Sequence, residues 1–164
     1  MENLLLEGQL DTLLMSETKA MMSTQIKVKD LMNVYLIDKE INRDLGYHRL
    51  PKIVNYLESI DFETGIFFPS IVLSYRGDPL SSYDPQDMSL LLEDKLVVID
   101  GQHRIKGIEK FLEKTTIDPE LKSKVIESFL TAQIYFGLNT QDETKLFTDI
   151  NSNVKSVSRS LITK

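Results

Sequence analysis

The chain of 164 residues has no cysteine. That excludes disulfides, thiolate metal sites and a cysteine nucleophile. Histidine is scarce: His48 and His103 are the two in the chain. No apolar run approaches the roughly 20 residues that cross a bilayer. The N-terminus lacks the basic start and small-residue cleavage site of a secretory signal. These absences predict a cytoplasmic protein with no membrane partner. An excess of positive charge is missing as well: 19 Lys and Arg against 25 Asp and Glu leave a net charge of -6. A sequence-independent grip on DNA needs clustered cations against the phosphates. The chain as a whole is therefore no basic clamp, although a local patch stays open.

The remaining composition is that of a globular chain, with 41% hydrophobic and 27% charged residues. Its length suits one compact domain, or one domain plus a tail. Residues 1–24 are rich in leucine and methionine around Gly8. They predict a loosely helical arm, with the domain proper at 25–164. "TQIKVKDLMNVYLID" predicts a short strand followed by a helix or turn. In "HRLPKIVNYLESI", Leu50, Ile53, Val54 and Leu57 recur with helical spacing, and Pro51 is tolerated in a first turn. "FFPSIVLSY" predicts a strand, "RGDPLSSYDPQD" a surface loop, and "MSLLLEDKLVVID" a hairpin divided at Glu93-Asp94. "FLTAQIYFGL" predicts another strand. Thr140 and Glu143 match a capping box opening a helix with Leu146, Phe147 and Ile150 on one face, ending near Asn151. Strands mixed with helices predict a small α/β (α+β) domain.

The chemistry concentrates in "VVIDGQHRIKGIEKFL". Leu96–Ile99 predicts a strand, Asp100-Gly101 a turn, and Ile105, Ile108 and Leu112 the buried face of the next helix. A helix start offers unpaired N–H groups and about half a positive charge, which suits an anion. Gly101 lets the backbone approach a ligand closely. Gln102, His103 and Arg104 add side-chain donors, and the Arg104 fork matches phosphate oxygens. Asp100 repels phosphate directly, but it can hold Mg²⁺, orient His103 or cap the helix. The alternative is a purely structural turn. Two further places can join the site: "NRDLGYHRLPK", with Arg43, His48 and Arg49, and Asn151.

These residues carry a resemblance. "DGQHR" resembles the signature of the DGQHR-domain family, whose best-described members are the DNA sulfur modification proteins DndB. "NRDLGYHRLPKIVNYLESIDFETGIFFPSIVLSY" is similar to the family's upstream block and "LFTDINSNVKSVSRSL" to its downstream block. The three keep their order over about residues 25–162. The wider relatives are the ParB amino-terminal domain and sulfiredoxin, which implies a small mixed sheet flanked by helices.

By this resemblance Gly101, His103 and Arg104 fall on phosphate-binding positions, with Gln102 where sulfiredoxin carries its catalytic cysteine. Without a thiol, that sulfinic reductase chemistry is excluded. ParB's metal- and triphosphate-holding Glu-Asn pair falls on Ile150-Asn151, so the amide is kept and the acid is not. ParB's upstream arginine matches Arg43 or Arg49. The resemblance implies a nucleoside triphosphate with Mg²⁺ as the ligand and DNA as a partner, and the residue type of Asp100 makes it the candidate metal contact. It also implies a regulatory role in bacterial DNA phosphorothioation, alongside other DNA-modification proteins and with a homo-oligomer open. Family members are usually longer, so 25–164 is expected to be truncated at its C-terminus. The alternative is a ParB-like nucleotide hydrolase, nuclease or DNA-modification enzyme. In it Asp100 positions metal or water and His103 acts as acid or base.

Overall fold

The computed structural model describes residues 4–12, 18–42, 50–59 and 68–162, with backbone alone from 153 onward. The chain opens with strands β1 (Leu4–Glu7), β2 (Leu10–Thr12) and β3 (Ala20–Lys27). Helix α1 (Val28–Val34), strand β4 (Tyr35–Leu36) and helix α2 (Leu50–Glu58) follow. Strand β5 (Ile71–Tyr75), helix α3 (Pro79–Ser82), and strands β6 (Tyr83–Asp84), β7 (Ser89–Leu92) and β8 (Leu96–Asp100) come next. Helices α4 (Gln102–Glu113) and α5 (Pro119–Glu127), strand β9 (Phe129–Phe136) and helix α6 (Thr140–Ile162) complete the order. The expected mixed α/β class is what the chain adopts. No helix among the described residues is long and apolar enough to cross a membrane.

A six-stranded sheet runs β2-β3-β9-β5-β8-β4, and a three-stranded sheet runs β1-β7-β6. In the larger sheet β9 lies parallel to β5 and β4 parallel to β8, while the remaining neighbours are antiparallel. Position in the sheet explains the sequence of each strand. β3 alternates, with Ala20, Met22, Thr24 and Ile26 buried and the residues between them more open, the period-2 pattern of a strand covered on one face. β5 and β8 are buried at nearly every position, as strands covered on both faces must be.

One face carries the main core. Leu73, Tyr75, Leu96, Val98, Ile134 and Phe136 of the sheet meet Leu31 of α1, Leu57 of α2, Ile108 and Phe111 of α4, and Val125 of α5. The other face holds a smaller cluster. There Val72, Ile99 and Ile41 meet Tyr135 and the α6 residues Leu146, Phe147 and Ile150. Helices α2 and α4 pack against each other where Gly107 leaves room. A Cβ on Gly107 would lie 2.4 Å from Cγ2 of Ile53.

Several expectations are corrected. The described residues of 1–24 form strands where a helical arm is expected: they contain β1, β2 and the first part of β3. Leu4 and Leu6 pair with Leu92 and Leu90, and Leu6 is buried in the main core. Tertiary pairing overrides the helix preference of leucine and methionine. The hairpin expected at Glu93-Asp94 does not form, because β7 and β8 belong to different sheets. The chain crosses between them with the Glu93 N–H donating to the Tyr75 hydroxyl at 3.1 Å. The loop expected at 76–87 contains α3, started by Asp78, whose carboxylate accepts from the Leu80 N–H, and β6. The helix opening at Thr140 continues to Ile162 instead of ending near Asn151.

Gly107→Ala tests the helix contact. Helix propensity alone favours alanine by about 1 kcal/mol. Overpacking against Ile53 opposes it with about 1–3 kcal/mol. Urea denaturation should show a net loss of stability.

Candidate functional site at the β8–α4 turn

β8 delivers Asp100 to the turn through a bulge. Leu73 pairs with Val98 and Val72 with Asp100, so Ile99 is the extra residue. Bulges of this kind bend the strand and redirect the side chain that follows. On its other side β8 is paired by β4 only at Leu96 and Val97. Beyond β4 the side chain of Asn42 takes over, its Nδ2 donating to the Val98 carbonyl at 2.5 Å. Asn42 is buried, and its Oδ1 has no hydrogen-bond partner among the described residues.

Gly101 follows with φ 104° and ψ 12°, in the left-handed region, as the N-cap of α4. Its carbonyl accepts the first helical bond, from the Ile105 N–H at 3.0 Å. A glycine brings no capping side chain, so the helix start keeps its positive end uncovered by its own cap. A Cβ here would lie 2.6 Å from Cγ2 of Ile71 and 3.0 Å from a guanidinium nitrogen of Arg104. Backbone conformation and crowding thus both require glycine.

The first turn of α4 carries Gln102, which is buried, His103, which is half-buried, and Arg104. Arg104 folds over the turn. Its Nη2 lies 3.3 Å from Oδ2 of Asp100 and 3.3 Å from the Ser70 carbonyl. Both contacts are long for charge-assisted bonds, which favour about 2.7–2.9 Å. The side chains remain 20% and 38% exposed. Asp100 therefore answers Arg104 and does not serve as the N-cap. Among the described residues no group of three or more histidines and carboxylates is placed to hold a metal ion.

The outlying residues are partly brought in. Ile150 packs in the cluster that contains Ile99, so α6 crosses the strand that leads into the turn. Asn151 is exposed inside α6, its Nδ2 donating to the Phe147 carbonyl at 2.8 Å. It does not end the helix, because the backbone bonds continue past it. Arg43, His48 and Arg49 lie outside the described residues.

A neighbouring ion cluster escaped the sequence reading. Arg76, just beyond β5, holds Glu143 with two bonds, Nη2 to Oε1 at 2.6 Å and Nε to Oε2 at 3.2 Å. Nη2 also reaches Oδ2 of Asp38 at 2.8 Å. Glu143 is fully buried. The capping role expected of Thr140 and Glu143 falls one residue earlier. The Asn139 side chain accepts from the Asp142 N–H at 2.8 Å, and Asp142 accepts from the Asn139 N–H at 3.1 Å. A polar residue in a first helical turn looks like a cap in sequence, and only the neighbouring Arg76 reveals the ion pair. The two carboxylates, Glu143 first, hold the Arg76 guanidinium more firmly protonated than usual. Arg76 in turn, helped by the Glu40 N–H, holds the Asp38 carboxyl below its ordinary value.

Two outcomes follow. Gly101→Ala should lose about 1–2 kcal/mol from the left-handed backbone alone, with displacement of Ile71 adding to the loss in urea melts. Asp38→Asn should lose up to about 1 kcal/mol at neutral pH, since the pair is partly exposed. The folded pKa of Asp38 is depressed, so its stabilisation is complete above the unfolded value of about 3.9. The gap between wild type and variant should shrink as pH falls below that value. It should vanish once pH passes the lower folded value, as read by thermal melts across acid pH.

No curated protein and no solved structure matches the chain. A family model described as DndB, DNA-sulfur modification-associated, matches residues 12–164. That span includes β3 to β9, the Asp100–Arg104 turn and α6. The chain therefore belongs to the DndB family of DNA-sulfur modification-associated proteins.

Proposed function

We propose that this chain is a regulatory domain that binds the phosphates of a nucleotide or nucleic acid at the β8–α4 turn. The observation that carries the reading is Gly101 in the left-handed conformation with Arg104 folded over it. The helix start favours an anion, and a guanidinium with long, exchangeable contacts stands beside it. Gly101, Gln102, His103 and Arg104 form the proposed binding turn. Arg43 or Arg49 and Asn151 are proposed to complete it. The proposed ligand is a nucleoside triphosphate with Mg²⁺, or DNA itself, and binding is proposed to act in transcriptional control of DNA sulfur modification. If Mg²⁺ accompanies the phosphates, Asp100 is the carboxylate nearest to hold it.

Hydrolysis is the weaker reading. It needs Asp100 to position metal or water and His103 to move a proton. Phosphate-transfer sites usually add further ligands around the ion, and the described residues offer Asp100 no such group.

Isothermal titration of the chain with nucleoside triphosphates and short oligonucleotides, with and without Mg²⁺, tests the proposal. A bond to a charged group is worth about 1.5–3 kcal/mol. Arg104→Ala should therefore weaken binding by about tenfold to a hundredfold, with Arg104→Lys intermediate. Absence of heat for every ligand with the wild-type chain would overturn it.

A further inference from the structure

α6 is attached to the rest of the fold differently from every other long helix. α1, α2, α4 and α5 all place residues in the main core. Among the described residues, α6 places none there. Its described apolar residues, Leu146, Phe147 and Ile150, sit on the separate cluster of Ile41, Val72 and Ile99. Its start is fastened by polar groups. Glu143, fully buried, is gripped by Arg76, and Asp142 meets Lys19 at 3.1 Å. The first is a strong attachment because a two-bond grip of a guanidinium on a carboxylate is among the stronger hydrogen-bonded pairs. The second is a half-exposed pair that contributes little.

We infer that α6 is a separable lid, latched by the Arg76–Glu143 pair, that lifts from the sheet and uncovers Val72 and Ile99 while the main core stays folded. A unit held, among the described residues, by one small apolar patch and two ion pairs at its start opens at lower free energy than the strands beneath it. Most of the stability of a protein helix comes from the packing of its apolar face, so lifting also loosens its backbone bonds. The place matters because Ile99 is the bulge residue before Asp100. Seated, α6 braces the strand that presents the turn; lifted, it leaves that strand open on one face. The lid thereby regulates the turn, and this consequence rests on the phosphate-binding reading, whereas the lifting itself does not.

Arg76 also ties down the other approach to the turn. Its bond to Asp38 anchors the segment in which Ile41 packs beneath α6 and Asn42 holds Val98. The latch therefore couples the lid to the chain on the outer edge of β8.

Native-state hydrogen exchange on the full chain tests the inference without any ligand. Backbone amides of residues 144–152 should exchange at least tenfold faster than those of β5, β8 and β9. Glu143→Gln should speed the α6 amides further and leave the strand amides within twofold of wild type. Phe147→Ala, which removes part of the apolar seat without touching the ion pair, should do the same. Equal protection of α6 and the strands in the wild-type chain would overturn the inference, even if a variant fails to fold. Equal acceleration of helix and strands by both variants would overturn it too. A chain that binds no nucleotide can pass this test, and one that binds can fail it, so the two readings stand or fall separately.

Discussion

The structure turns on the double coverage of β8. A strand buried on both faces has no solvent to meet its backbone or side chains, so each face needs its own layer. α4, which β8 itself feeds, joins α2 on the main-core side. α6 supplies the other layer through Leu146, Phe147 and Ile150. Each layer restricts what the strand can do at its end. The chain must leave the sheet, reverse over Ile71 and start a helix within two residues. Gly101 is the residue that can make that corner, because its φ of 104° and the 2.6 Å left to Ile71 both exclude a side chain. The candidate site is thus a consequence of packing before it is a matter of chemistry.

A fully buried carboxylate on α6 is the least expected element of this arrangement. Removing an ion pair from water costs several kcal/mol per charge, and apolar residues of similar size commonly serve stability as well or better. The Arg76–Glu143 pair meets the cost with two parallel bonds, and Asp38 takes up a further share of the guanidinium. What an ion pair supplies and an apolar pair lacks is direction. Leu146, Phe147 and Ile150 would tolerate sliding of α6 along the sheet, whereas a bidentate fork admits one register. The pair therefore sets where α6 sits relative to the end of β8.

Much of this was legible in the sequence, and the failures share a physical cause. α2 and α4 follow from helical spacing and β5, β8 and β9 from short apolar runs, because their burial depends on their own residues facing a large core. The corner at Asp100-Gly101 was legible because glycine before a run of donors is a local signal. The N-terminal strands were not. Leu4–Leu6 gain their structure from Leu90 and Leu92, far along the chain, and leucine by itself favours a helix. The false hairpin at Glu93-Asp94 has the same origin, since two adjacent apolar runs look paired until each is found to prefer a different sheet. Glu143 was read as a cap because a carboxylate three residues after a threonine is the expected pattern. Its real partner, Arg76, lies 67 positions away, and no local rule reaches that distance.

The two arginines near β8 differ in how firmly the fold holds them. Arg76 spends its fork on a carboxylate that has no water to return to, at 2.6 Å. Detaching it would cost about 3–5 kcal/mol, more than a new bond to a phosphate returns. Arg104 stands against Asp100 at 3.3 Å, with both side chains partly open to solvent. Such a pair is worth about 0.2–1 kcal/mol, and Asp100 regains hydration when released. A bond from a guanidinium to a charged acceptor supplies about 1.5–3 kcal/mol, and the helix start adds about 0.3–1 kcal/mol for an anion placed before it. The balance favours exchange at Arg104 and forbids it at Arg76. Of the two, Arg104 is the one able to change partners, while Arg76 keeps α6 in register on the sheet.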